Sequence, residues 1–258
     1  MNAGRCHALQ GQTARAEELY RAFLEHHRQY QELLSDPALP DRILAAGQER
    51  DKSREDLVEL ARKGRKDSRE SESNALENLG LLRIDQDRLD EAVGFYGQAI
   101  ALADELSFAQ TQNWARWGLA LALLYQGDVA GAREACQAAL QTPVPENDHC
   151  VEALLGVAAL LQGDRPAARA ACRRAITKTN DILANCDVFY AALDSKGLAL
   201  SVLALCGDVA RLDDAVEAFT AARRINDDPA PKQRIRRILD ALAPADPDGI
   251  LTRVHAMF

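Results

Sequence analysis

The sequence predicts an all-α chain built as a solenoid of antiparallel helix pairs, and three observations carry that expectation. The chain of 258 residues is 47% apolar, 27% charged and only 5% aromatic. Abundant Ala and Leu with sparse β-branched residues favour helix over strand. A second observation is self-similarity. Leu76 to Leu102, Arg116 to Leu140 and Glu152 to Ile176 each read as an apolar helix, a turn and a second helix rich in Ala, and Ala191 to Ile225 is a looser fourth copy. Asp87, Gly127 and Gly163 mark the first three turns, spaced 40 and 36 residues apart. Third, one hairpin of this size is too thin to hide its own apolar side, so consecutive copies must stack into a shared interior.

Taken from the N-terminus, Gly11, Ala16 and Tyr20 fall where turn, small residue and aromatic belong. About ten residues precede that turn, fewer than a first helix needs to bury its stripe, so the chain is expected to begin inside a repeat. Tyr20, Phe23, His27, Tyr30 and Leu34 extend one helical face to a stop at Asp36-Pro37. Leu39 to Lys66 is expected to be a degenerate repeat whose apolar residues are Ile43, Leu44, Leu57 and Leu60. The charge run KGRKDSRESES is read as a solvated connection, with a hinge as the alternative. This divides the chain into an N-terminal helical lobe over 1–66, a core array of about four repeats over 67–228 and a C-terminal capping helix with a short apolar helix over 229–258.

Local chemistry supports the repeats. In Gly127-Asp128, Gly163-Asp164 and Gly207-Asp208 the Gly is suited to a left-handed helix end. The Asp is suited to cap the helix that follows. Gly80, Ala120 and Gly156 supply small residues on first helices. On second helices Ala92, Ala132 and Ala168, then Ala99, Ala139 and Ala175, bracket one larger residue: Tyr96, Cys136 or Cys172, with Phe219 in the fourth copy. A small–large–small stripe lets neighbouring helices approach closely around one knob.

These positions resemble the tetratricopeptide repeat: Leu79-Gly80, Ala92, Tyr96 and Ala99, then Leu119-Ala120, Ala132 and Ala139, then Leu155-Gly156, Ala168 and Ala175. The departures are Cys136 and Cys172 where an aromatic is usual. The resemblance implies a right-handed superhelix. Its repeat length is similar to that of the sensor arrays of bacterial STAND-class signalling NTPases. It also implies that first helices line a concave groove, which places Asn74, Glu77, Leu81, Ile84 and Asp85 there, followed by Trp114, Trp117, Leu121, Leu124 and Tyr125, then Cys150, Ala153, Val157, Leu160 and Leu161. The family's carboxylate clamp needs Lys, Arg and Asn at such positions, and only Asn74 matches, so capture of a peptide's terminal carboxylate is not expected.

The expected partner-binding residues are Trp114, Trp117, Leu121, Tyr125, Asn74, Glu77 and Asp85. Two readings of the tryptophans stay open: plugs between repeats, or anchors for a partner's amphipathic helix or a small ligand. The chain's own segment Ile250 to Phe258 is a third candidate occupant. Such a module is expected to act in the cytoplasm, as the sensor or scaffold part of a larger bacterial signalling protein or as a stand-alone adaptor. No catalytic residue, cofactor site or metal site is expected. Phosphate-binding loops, nucleophile elbows and paired-histidine metal motifs are absent from the sequence, and the six cysteines form no C-x-x-C pair. They are read as buried free thiols. A net charge of -8 argues against nucleic acid as a partner. The longest apolar run, Leu119 to Tyr125, is far below the roughly 20 residues of a membrane span. Pro229 and Pro231 introduce a helix with Ile235, Ile238, Leu239 and Leu242 on one stripe and Lys232, Arg234, Arg236 and Arg237 opposite. It is expected to cap the stack with its polar side outward.

Overall fold

The computed structural model describes residues 12–47, 49 and 51–258. Gly11, Cys6 and His7 therefore lie outside the described residues, as does the start of the first expected repeat. Among the described residues twelve α-helices follow in order: α1 Thr13–Ser35, α2 Leu39–Ala45, α3 Arg54–Asp85, α4 Leu89–Leu106, α5 Ala109–Gln126 and α6 Val129–Ala139. The rest are α7 Pro145–Leu161, α8 Arg165–Leu183, α9 Tyr190–Leu205, α10 Arg211–Ile225, α11 Pro229–Ala241 and α12 Thr252–His255, with a short 3-10 turn at Ala243–Ala245. No strand occurs among the described residues. The pairs α3/α4, α5/α6, α7/α8 and α9/α10 form four hairpins, and the first helices α3, α5, α7 and α9 touch in sequence. The fold is an all-α helical solenoid.

The turns work largely as their chemistry dictates. Gly127 and Gly163 take positive φ of 84° and 77°. Asp128 and Asp164 then cap α6 and α8, accepting from the backbone N–H of Gly131 at 2.9 Å and of Ala167 at 3.1 Å. In the first copy Asp87 itself adopts positive φ, and in the fourth the expected cap is not made. There α10 starts three residues after Asp208, whose carboxylate pairs instead with Arg211 at 3.2 Å. The longer turn places the Asp side chain outside reach of the first N–H groups.

Small and large residues interlock between layers. Tyr96 is fully buried, wedged against two glycines: a Cβ on Gly80 would stand 2.8 Å from its ring, and one on Gly118 would stand 2.3 Å away. Cys172 fills the space beside Gly156, and Phe219 the space beside Gly197. Gly118 and Gly197 escaped the sequence reading because the repeat register drew attention to Ala120 and because the fourth copy is loose.

The N-terminal region departs from expectation. The charge run is neither a connection nor a hinge. It lies inside α3, a continuous helix of 32 residues opened by a reciprocal Ser53–Asp56 capping box. Antiparallel α1 runs alongside and gives these polar residues partners. His27 Nδ1 is 2.9 Å from Ser68 Oγ, Arg65 donates to the Leu34 carbonyl at 2.7 Å, and fully buried Arg83 pairs with Glu17 at 2.6 Å. Glu17 is held down to about 2 by the Arg83 hydrogen bond. Leu39 to Lys66 forms no hairpin of its own. Of its four apolar residues Leu57 alone is buried, while Leu44 and Leu60 are exposed. The boundary between 66 and 67 falls within α3.

At the other end, Ile250 to Phe258 does not occupy the tryptophan groove. Phe258 stacks edge-on against Phe219 at 5.2 Å beneath the Arg223 guanidinium, and Arg253 pairs with Asp213 at 2.7 Å, so this segment covers α10. Phe219 offers it an apolar partner at the end of the stack. It is α11 that turns back across α3, α5 and α9. Its Arg234 and Arg237 accordingly face protein instead of solvent.

Candidate recognition groove

One end of the concave surface is closed by α11. Arg234 Nε lies 3.1 Å from Asp85 Oδ1, with the Asp85 carboxylate only 7% exposed. Burial pushes the Asp85 pKa up, and the charges of Arg234 and Arg237 oppose that shift. Arg237 donates to the Ile84 carbonyl at 3.0 Å and to Asp87 at 2.7 Å. Its guanidinium sits 4.0 Å from the centre of the Tyr125 ring, the geometry of a cation–π contact. Tyr125 donates its hydroxyl to the Arg234 carbonyl at 2.7 Å. Ile238, Leu239 and Leu242 are buried beneath these polar contacts. Burying such side chains stabilises by about 1.5–3 kcal/mol each, so α11 is a firm part of the structure.

The other end stays open. A cavity of about 180 Å³ separates α11 from the first helices of the later repeats. Trp114, Trp117 and Leu121 of α5 form one wall, Phe189, Tyr190 and Ser195 a second, and Pro231, Ile235 and Ile238 of α11 close the third side. The two indoles meet edge to face, their centres 6.1 Å apart and their planes at 84°. Both are half-buried. Trp114 Nε1 is buried without a hydrogen-bond acceptor. A buried donor of this kind is uncommon and calls for an explanation. Asp194, also on the wall, is paired with Arg223 at 2.5 Å; burial nevertheless raises its pKa to about 6. Exposed Glu146 stands at the entrance.

A thiol, an imidazole and a hydroxyl meet at this wall. Cys150 Sγ is 3.3 Å from His149 Nδ1, which is 3.0 Å from Ser195 Oγ. Desolvation pushes the thiol up to about 12 and the imidazole down to about 4. Both groups are therefore neutral near pH 7, the reverse of the thiolate that nucleophilic catalysis requires. Their role is to satisfy one another inside the wall. Among the described residues no cluster of His, Cys, Asp or Glu could hold a metal ion. The thiols vary in burial: Cys136, Cys172 and Cys206 are buried, Cys150 is half-buried and Cys186 is exposed.

The seven residues expected to bind a partner are thus divided. Trp114, Trp117 and Leu121 line the cavity. Tyr125 and Asp85 hold α11 instead of facing open space. Asn74 accepts from Thr111 Oγ1 at 2.8 Å, tying α3 to α5, and Glu77 is half-buried on α3. Ile84, Leu124, Val157 and Leu160 are buried in the core and offer nothing to a ligand. The sequence reading missed Phe189 and Tyr190. Their adjacency just before the fourth copy was the available signal, and the irregular spacing of that copy hid it.

No helix of the described residues is long and apolar enough to cross a membrane. No curated protein matches the chain. Residues 93–148, which run from α4 into α7, match the family model described as tetratricopeptide repeat, and the stacked helical hairpins on either side are consistent with an all-α solenoid of tetratricopeptide-like form.

Proposed function

We propose that this protein is a non-catalytic recognition module that receives a partner at the Trp114/Trp117 end of its concave face. Tetratricopeptide repeats generally mediate protein–protein interaction, and stacked repeats present extended concave surfaces suited to it. The observation that carries the reading is the contrast within one groove: α11 fills the Asp85/Tyr125 end, while both tryptophans of the chain stand half-buried around remaining space. Trp is the residue type most often found at binding hot spots. What enters is a partner's protruding side chains or a small ligand, because α11 leaves no room there for a full helix.

The long repeats support placing the module as the sensor or scaffold part of a larger cytoplasmic bacterial signalling protein of STAND type. A constitutive adaptor joining two proteins without a switch is the second reading, and the firm seating of α11 favours it. The double variant Trp114→Ala/Trp117→Ala tests the site itself. Capture of partner by the immobilised chain should be lost, with circular dichroism unchanged and the melting temperature within a few degrees of wild type. Undiminished capture, or a collapse in melting temperature, would show that the tryptophans serve packing alone.

A further inference from the structure

We infer that the tryptophan-lined cavity is a site for a small alkylated ammonium ion without an acid group, of the size of choline. The inference rests on the reading of this groove as a recognition site and adds the class of ligand. Four aromatic side chains, Trp114, Trp117, Phe189 and Tyr190, line a space of about 180 Å³ in a chain that is only 5% aromatic. The perpendicular indoles set two ring systems at right angles, forming a corner into which a rounded group fits. Ring faces carry partial negative charge and attract cations, most strongly for Trp. An apolar cavity of roughly 150 Å³ accommodates benzene, so this one suits a trimethylammonium head of similar girth with a short tail.

Charge narrows the class further. Of the ionisable groups that line the cavity, Asp194 is paired with Arg223 and Arg234 is paired with Asp85. Glu146 at the entrance thus leaves the site with an excess of negative charge. A ligand bearing a carboxylate would meet that charge, which favours a cation without an acid group. Trp114 Nε1 has no acceptor. That atom is closed off from the cavity, so the indole offers a ligand its ring and not its N–H.

Both tryptophans of the chain line the cavity, so intrinsic fluorescence of the full chain reports on it directly. Titration with choline chloride at constant ionic strength should give a saturable change. The uncharged isostere, in which a tert-butyl group replaces trimethylammonium, should bind at least about tenfold more weakly. Glu146→Gln should weaken choline several-fold and leave the isostere unaffected. In Trp114→Phe, with Trp117 still reporting, choline should bind several-fold more weakly, since Phe is the poorer partner for a cation. Equal binding of choline and its isostere would overturn the cationic assignment while leaving the groove as a recognition site. Absence of a saturable response to choline would overturn the assignment too, whereas the groove reading falls if the double tryptophan variant captures partner normally or collapses in melting temperature.

Discussion

The two ends of the concave face are built from the same first helices yet treat α11 differently. At the Asp85/Tyr125 end, α11 brings two arginines to two aspartates, a carbonyl and an aromatic ring, with Asp85 Oδ1 held by ion pairing and not by a hydrogen bond. At the Trp114/Trp117 end it presents the edges of Pro231, Ile235 and Ile238 beside an Arg234 already paired with Asp85, and the cavity keeps it apart from the opposite wall. A buried charge tolerates almost no misplacement, because an unpaired ion in a low-dielectric setting is costly. Apolar edges impose no such registration. The ion pairs therefore set where α11 lies, and the shape of the remaining space follows from that placement. A groove able to hold a helix becomes a pocket able to hold a side chain or a small molecule.

The contrast can be broken most severely at its sealed end. Arg234→Ala leaves Asp85 buried beside one fewer cation and should cost about 3 kcal/mol, read from chemical denaturation. An unchanged midpoint would mean that α11 is seated by its apolar stripe alone. Ile235→Ala acts at the border between the two ends. It is half-buried, so its loss should cost about 1 kcal/mol, less than for a fully buried residue, while enlarging the cavity. Cost without any change in ligand response would place Ile235 outside the recognition surface.

A third effect is one of pH, at the open end. Burial lowers the His149 pKa from 6.5 to about 4, so between these values the unfolded chain binds more protons than the folded one. The stability this represents is complete above about pH 6.5 and drains away as pH falls towards 4. Wild type should therefore lose stability relative to His149→Gln as pH is lowered through that window, measured by parallel melts. Asp194, whose pKa burial raises to about 6, pulls in the opposite direction but does so in both proteins and drops out of the difference. A pH-independent gap between the two melting curves would indicate that His149 is not desolvated.

How much was legible in advance depends on how local each cause is. Gly127 and Gly163 end helices because of their own φ, and Asp128 and Asp164 cap because the N–H groups they need are three residues away. Such features are written in adjacent residues and were readable. The charge run from Lys63 to Ser73 was misread because its helical partner groups sit on α1, tens of residues distant in sequence. Gly118 gives no sign in its neighbours that it must clear the Tyr96 ring. The basic face of α11 reads as solvent-facing until Asp85 and Asp87 are brought opposite it.

The amino-acid sequence alone determined that hairpins form, where they turn and that they stack, since helix propensity, turn geometry and small–large periodicity act over a few residues. Only the tertiary structure decided which part of the concave face remains available. That outcome depends on residues some 150 positions apart meeting through buried charge, as Arg234 meets Asp85, and no local pattern encodes it.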